Sequence, residues 1–487
     1  MKKVNYFIHL ILIVLFIPLI MTGCKKNNID YNFDNKTQTL TIYGGGKLSQ
    51  TWEDELNDKI REIKFAPNSN FTEIELFAFS NYKNLEKITI PDTVTSIHSI
   101  CNDCDNLKEV IIGSGLTFFG NSFCFCDNIQ IIDISPYNLV YESQGNCVIE
   151  KETSTLIRGC STSIIPDSVI TIGYASFEGI NNLTEIAIPD SVHYIKSEAF
   201  HNCNSLNKIS IGKNVKEIFD YSFSDCINLS EINFNAINLT YNHKSVYNHV
   251  FLRAGQNNNG ITLNIGKDVV ALPSNMFCVE RNNIDNIYAN LSVVNFDEFC
   301  LCDTIPFSAF ENCKNLTTIK FSNNIKYIES YAFNKCSKLN NLSLPDNLEK
   351  IGESAFSYCE SLTDITIPEN INSIECDMFY HCISLKNVTL NKKLSIINSG
   401  AFAYCNSLEK IFIPLSINTI STKTYFDEES YIKTLPFYQS NKKLKIYCES
   451  TEPKIYWNEG WNYYNSFIEL NTYYNYTYEM YLQIVEK

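Results

Sequence analysis

The chain is poor in charge and poor in the arrangements that build catalytic centres. Only 19% of its 487 residues are charged, and 39 basic against 54 acidic side chains give a formal net charge of −15. No stretch gathers Lys and Arg into the clusters that a duplex phosphate backbone requires, which excludes nucleic acid as a partner. Nor does anything beyond an anchor draw the chain to an anionic bilayer. The seven histidines, His9, His98, His193, His201, His243, His249 and His381, never adopt H-E-x-x-H spacing. A G-x-S-x-G elbow is missing, and no Asp or Glu pair is tied to a recurring motif. Gly44, Gly45 and Gly46 are not followed by Lys-Ser or Lys-Thr at phosphate-loop spacing, so they are expected to make a turn. The expectation is a protein without enzymatic activity, cofactor or metal; scattered acids that meet in space, as in a glycosidase, are the arrangement that sequence leaves open.

What the chain has instead is repetition. From Phe310 the run FENCKNLTTIKF returns as FNKCSKLNNLSL from Phe333, FSYCESLTDITI from Phe356, FYHCISLKNVTL from Phe379 and FAYCNSLEKIFI from Phe402, every 23 residues. A unit this short cannot bury its own apolar face and must stack on its neighbours, which is the signature of a solenoid. Leu316, Ile319 and Phe321 alternate with Thr318 and Lys320 as a short strand would, one set inward and the other outward. Phe310, Cys313 and Leu316 stand three apart, a spacing that suits a tight helical or 3₁₀ turn on the opposite side. Pro345, Pro368 and Pro414 end the strands of their units. The expected product is an elongated array with one continuous core, which also explains how so long a chain holds together without a single globular centre.

Four segments follow. Residues 1–23 carry Lys2 and Lys3, an apolar run from Phe7 to Met21 too short for a membrane span, and Met21-Thr22-Gly23 directly before Cys24. This resembles a bacterial lipoprotein signal, which implies lipid on Cys24 and a mature chain anchored outside the cytoplasm; cleavage without lipid and an uncleaved anchor are the alternatives. Residues 24–59 read as a tether and an N-terminal β cap, 60–440 as the array, and 441–487 as a C-terminal cap and aromatic tail. Within the array the pattern loosens at 131–166, where Gln144-Gly145-Asn146 offers a turn between pairing strands, and again at 234–304.

The unit F-x-x-C-x-x-L-x-x-I-x-I-P, carried best by residues 310–323 and 356–368, resembles the BspA-like leucine-rich repeats found in surface proteins of host-associated bacteria. That resemblance implies a curved, mostly β leucine-rich-repeat solenoid with a parallel sheet on its concave side, short 3₁₀ or irregular turns on the convex side, and caps at both ends. It also implies a surface adhesin. Nine cysteines, Cys104, Cys126, Cys203, Cys226, Cys313, Cys336, Cys359, Cys382 and Cys405, share one unit position. They read as a line of packed thiols, because parallel Cβ vectors fit the disulfide torsion badly. Cys101-x-x-Cys104 lacks the second pair a metal site needs.

Binding is expected on the outward positions of the concave strands: Lys87, Thr89, Glu185, Lys208, Glu231, Thr318, Lys320, Asp364, Lys410 and Phe412. These mix signs and hydroxyls, which suits a protein or glycan better than a highly charged polymer. The functional expectation is a monomeric cell-surface binding protein or adhesin for a host or neighbouring-cell protein or glycan. A carbohydrate-binding envelope protein using C-terminal aromatics such as Trp457, Trp461 and Tyr478, or a purely structural envelope component, is the alternative.

Overall fold

The computed structural model describes residues 29–49, 52, 54–241, 249–277, 288–340, 342–427, 430–458, 461–465 and 468–485. The chain winds as a curved, mostly β solenoid. Each turn of the coil has three sides, and the unit around Phe200 shows how sequence produces them. Tyr194–Ile195 is a two-residue strand, Ala199 to Cys203 lie in turns, and Lys208–Ile211 is a longer strand. Ile195, Ala199, Phe200, Cys203, Leu206, Ile209 and Ile211 all point inward and are fully buried.

Stacking the units aligns the sides. The longer strands form the concave parallel sheet, with Lys208 beside Glu231 and Ile209 beside Ile232, so that a 23-residue step lands on the same side-chain type. The two-residue strands form a second parallel sheet, as in the row Thr171–Ile172, Tyr194–Ile195, Glu217–Ile218. The sequence reading did not separate this row, because two residues give no visible alternation.

The third side is made of irregular turns, the second of the two forms expected; among the described residues the 3₁₀ helix is Asp54–Leu56, in the cap. The reason is backbone handedness. Glu198 and Asn202, and their counterparts Tyr331 and Lys335, Ser354 and Tyr358, and Asp377 and His381, have φ between +53° and +63°. A left-handed residue costs about 1–2 kcal/mol and cannot continue a helix. It turns the neighbouring N–H groups toward the next unit: Phe200 to the Ser222 carbonyl at 2.8 Å, Asn202 to Ser224 at 3.0 Å, Phe356 to Met378 at 3.1 Å and Tyr358 to Tyr380 at 2.7 Å. The turns thereby become a third hydrogen-bonded ladder, satisfying backbone groups that a loop would leave to water.

Inside, phenylalanine rings stack from Phe177 through Phe200, Phe223, Phe251, Phe277, Phe310, Phe333, Phe356, Phe379 and Phe402 to Phe437, with centroids 4.8–6.2 Å apart. The cysteines do more than fill space. The thiols of Cys203, Cys226, Cys336, Cys359, Cys382 and Cys405 each donate to the carbonyl of the phenylalanine one unit back, at 3.0–3.4 Å. A small apolar residue with one weak donor is what this position requires.

The core is not continuous, contrary to expectation. One apolar cluster runs from Leu40 to Cys160 and another from Cys147 to Leu470. They divide at an antiparallel meander, Tyr141–Gln144, Cys147–Glu150 and Thr155–Arg158, whose first turn has Gly145 and Asn146 both left-handed. Alternation along its middle strand explains the division: Val148 faces the first cluster, Cys147 and Ile149 the second. Arg158, 2% exposed, crosses the seam. It donates to the Phe123 carbonyl at 2.6 Å on one side and to the Ala175 carbonyl at 3.1 Å on the other. Asp127 and Asn181 form a second clamp, with N–H to Oδ1 at 2.7 Å and Nδ2 to Oδ2 at 3.1 Å. The concave sheet is interrupted at the same place, between Ile131–Ile134 and Glu185–Ala187.

Both ends are covered. Asp30–Asp34 pairs antiparallel to Thr39–Tyr43 and closes the first sheet, while Trp52 stacks on Phe79 at 5.7 Å. At the other end Trp457 and Trp461, 7% and 4% exposed, meet at 4.8 Å, and Trp461 packs against Phe437.

Candidate functional site

Strand alternation lifts one set of side chains off the concave sheet, and stacking orders that set by charge. Near the N-terminus Lys87 stands beside Glu62 and Glu109 in register and reaches Glu109 at 2.9 Å. Thr89, two residues on, faces the same way over a half-buried position. In the middle Lys208 lies between Glu185 and Glu231 and reaches Glu231 at 3.1 Å. Hydrogen bonds from Asn233 and from Lys208 hold the Glu231 carboxyl below the usual range. These pairs are substantially exposed, so each contributes at most a few tenths of a kcal/mol and serves mainly to fix side-chain positions.

A row of amides adjoins them, of which Asn264 and Asn295 escaped sequence reasoning. Asn233 donates to Ser210 at 3.4 Å, Asn264 to Asn233 at 3.0 Å and Asn295 to Asn264 at 3.1 Å. Asn264 and Asn295 lie within the irregular stretch 234–304, where the 23-residue step fails; the signal was the pattern Leu263-x-Ile265 and Val294-x-Phe296, which sets each Asn opposite Asn233. Thr318 and Lys320 continue this surface beside Val293 and Asn295. Asp364 accepts from the Thr363 hydroxyl and the Asn387 amide, both at 2.5 Å, and these bonds depress its pKa.

Of the last two expected positions, Phe412 is covered and Lys410 is half-buried. Phe412 is only 5% exposed because the C-terminal helix Tyr478–Val485 lies over it, with Tyr478 and Tyr481 ring centroids at 5.3 and 5.5 Å. Lys410 donates to the Ile484 carbonyl at 2.8 Å, at a helix end whose carbonyls need donors. No periodicity marks this tail as returning to the sheet. Beneath it lies a cavity of about 520 Å³, lined by Lys386, Asn387, Asn406, Glu409, Lys410 and Tyr481 among others.

One cluster imitates a catalytic triad. His201 Nδ1 is 2.7 Å from Ser224 Oγ and 3.7 Å from Asp225. Both partners share one ring nitrogen, whereas proton relay needs opposite nitrogens. Ser224 is fully buried and donates to the Tyr221 carbonyl, and Asp225 is held by Arg253 through two bonds of 2.6 Å. The cluster is a structural lock. Among the described residues no three His, Cys, Asp or Glu side chains gather as a metal site, and no helix is long and apolar enough to cross a membrane. The 17 described cysteines form no disulfides, all are buried except the half-buried Cys376, and burial pushes ladder thiols such as Cys382 up to about 12.

Similar folds occur in solved bacterial proteins. A leucine-rich repeat protein from Bacteroides ovatus is 19% identical, with 81% of this chain and 95% of that one covered and a TM-score of 0.40. One from Eubacterium ventriosum is 18% identical, with coverages of 69% and 93% and a TM-score of 0.34. A leucine-rich cell surface protein from Faecalibacterium prausnitzii is 21% identical, with coverages of 77% and 95% and a TM-score of 0.30. No curated protein matches. The family model for the BspA type leucine rich repeat region matches residues 56–147, 157–283 and 303–433, well over half of the sequence, and the chain therefore belongs to the BspA-type leucine-rich repeat family.

Proposed function

We propose that this chain is a non-catalytic binding protein that engages an extended protein or glycan partner through its concave sheet. The observation that carries this reading is the order of the outward side chains. Lys208 and Glu231, then Asn233, Asn264 and Asn295, are held by neighbours in adjacent strands before any partner arrives. A surface fixed in advance loses less side-chain entropy on binding. The burial of Trp457 and Trp461 weighs against the alternative in which those rings stack on sugars. Export and display at the cell surface accompany the proposal: they rest on the lipoprotein-like Met21-Thr22-Gly23-Cys24, which lies outside the described residues.

The test is capture of host proteins and glycans by the soluble 25–487 fragment. Saturable binding should weaken on charge reversal at Lys208 or Lys320 and survive change on the opposite side, for example Lys335→Glu. Binding indifferent to both concave changes would remove the proposal. For the anchor, Cys24→Ser should release the protein from membranes or stall its processing; retention and processing as in the parent would refute lipidation.

A further inference from the structure

We infer that the cavity beneath the C-terminal helix binds the carboxylate-bearing sugar of an acidic glycan. This deepens the concave-face reading above by naming a place and a ligand class. Three observations converge on it.

The first is a break in charge order. Where this strand position carries lysine earlier in the chain, glutamate flanks it on both sides, as in Glu62, Lys87, Glu109 and Glu185, Lys208, Glu231. At the C-terminal end Lys410 lies in register with Lys445 on the adjacent parallel strand. Like charges directly opposite are destabilising. Among the described residues neither these two nor nearby Lys386 has a carboxylate within ion-pair distance, although the chain carries 54 acids against 39 bases. Glu409 in the same lining and Asp364, within electrostatic reach of Lys386, offset part of this positive charge, and a bound anion would neutralise the remainder.

The second is enclosure. The cavity of about 520 Å³ falls in the size range of small-ligand sites and is about half open to solvent. Its roof is fixed: Tyr481 packs between Phe412 and Tyr447, each with centroids at 5.5 Å, and Lys410 ties down the helix end.

The third is the lining chemistry. Lys386 and Lys410 supply donors for a carboxylate. Asn387, Asn406, Asn441 and Ser407 supply amides and a hydroxyl that match ring hydroxyls, Glu409 accepts from a sugar O–H, and Tyr481 offers an aromatic surface. An acidic side chain of a protein partner would use the lysines and leave the amides without ligand partners, which disfavours it.

The probe is a glucuronate-containing hyaluronan hexasaccharide, titrated by calorimetry against the 25–487 fragment, with neutral chitohexaose and a hexaglutamate peptide as comparators. Saturable binding of the hyaluronan oligosaccharide alone is expected. Lys386→Gln, which leaves the helix tie at Lys410 intact, should weaken it at least tenfold, and added salt should weaken it further. Lys87→Gln at the far end should have no effect. Binding of hexaglutamate as tight as that of the sugar, equal binding of chitohexaose, absence of binding, or indifference to Lys386→Gln in a variant with unchanged circular dichroism would each overturn the inference. The two readings fail separately: partner capture that depends on Lys208 and Lys320 without sugar binding sinks only this one, and sugar binding without such capture sinks only the extended-face proposal.

Discussion

Replacing Arg158 by Met should divide the solenoid energetically where its core is already divided. Methionine keeps an unbranched apolar stem of similar length, so packing along the side chain largely survives. What disappears is the guanidinium, and with it donors to the Phe123 carbonyl at 2.6 Å and the Ala175 carbonyl at 3.1 Å. The Phe123 carbonyl is then left buried without a partner, at about 1–3 kcal/mol, whereas the Ala175 carbonyl keeps the Glu178 N–H at 3.1 Å. Removing a buried charge returns part of this, since its desolvation was unfavourable. The net expectation is a loss of roughly 1–3 kcal/mol, concentrated at one interface, whereas a repeat protein is held together by nearest-neighbour terms.

The tryptophans allow a direct assay. Trp52 lies in the first cluster, and Trp457 and Trp461 lie in the second. Urea titrations followed by fluorescence in a Trp52→Phe background, and in a background lacking Trp457 and Trp461, report the two blocks separately. With Arg158 present both reporters should move together. With Arg158→Met they should separate, and at least one midpoint should fall by about 1 M, given slopes of about 1–3 kcal/mol per M. Arg158→Lys, which keeps the charge but loses the fork of donors, should fall between. Coincident transitions at the parent midpoint in the Met variant would refute the view that this side chain pins the seam.

Three other outcomes follow from the same geometry. Burial raises the Glu178 carboxyl from 4.5 to about 7, so the folded state holds a proton that the unfolded chain releases; stability should fall as pH rises from about 4.5 through about 7, and Glu178→Gln should flatten that slope in thermal melts. Ladder thiols raised by burial should resist iodoacetamide until the chain unfolds, whereas half-buried Cys376 reacts first; mass mapping that finds Cys336, Cys359 and Cys382 labelled as fast as Cys376 would contradict the structure. Phe356→Ala removes a ring stacked on both Phe333 and Phe379 and should cost about 3–5 kcal/mol, measured as a lowered urea midpoint in the second block.

How far the sequence disclosed this molecule depends on how far each feature repeats. The 23-residue step placed Phe310, Phe333, Phe356 and their cysteines on common lines because one error-free period fixes every later unit. It could not show that the cysteine thiol reaches the carbonyl of the preceding phenylalanine, since that contact depends on left-handed residues such as Tyr358 and His381, at which no glycine announces the conformation. The concave positions Lys87, Lys208 and Lys320 were legible by alternation alone. Features used once were not: Arg158 at the seam, the Asn264 and Asn295 amides in units of irregular length, and the helix that covers Phe412. Each owes its place to a contact far along the chain, and local pattern carries no information about such contacts. The same contrast bears on binding. Buried residues that recur in every unit are committed to holding neighbouring units together, so a localised pocket, as distinct from the extended face, is to be sought where the repeat is broken. Lys410 beside Lys445, without the glutamates that flank Lys87 and Lys208, is such a break, and it lies under a helix that the repeat does not supply.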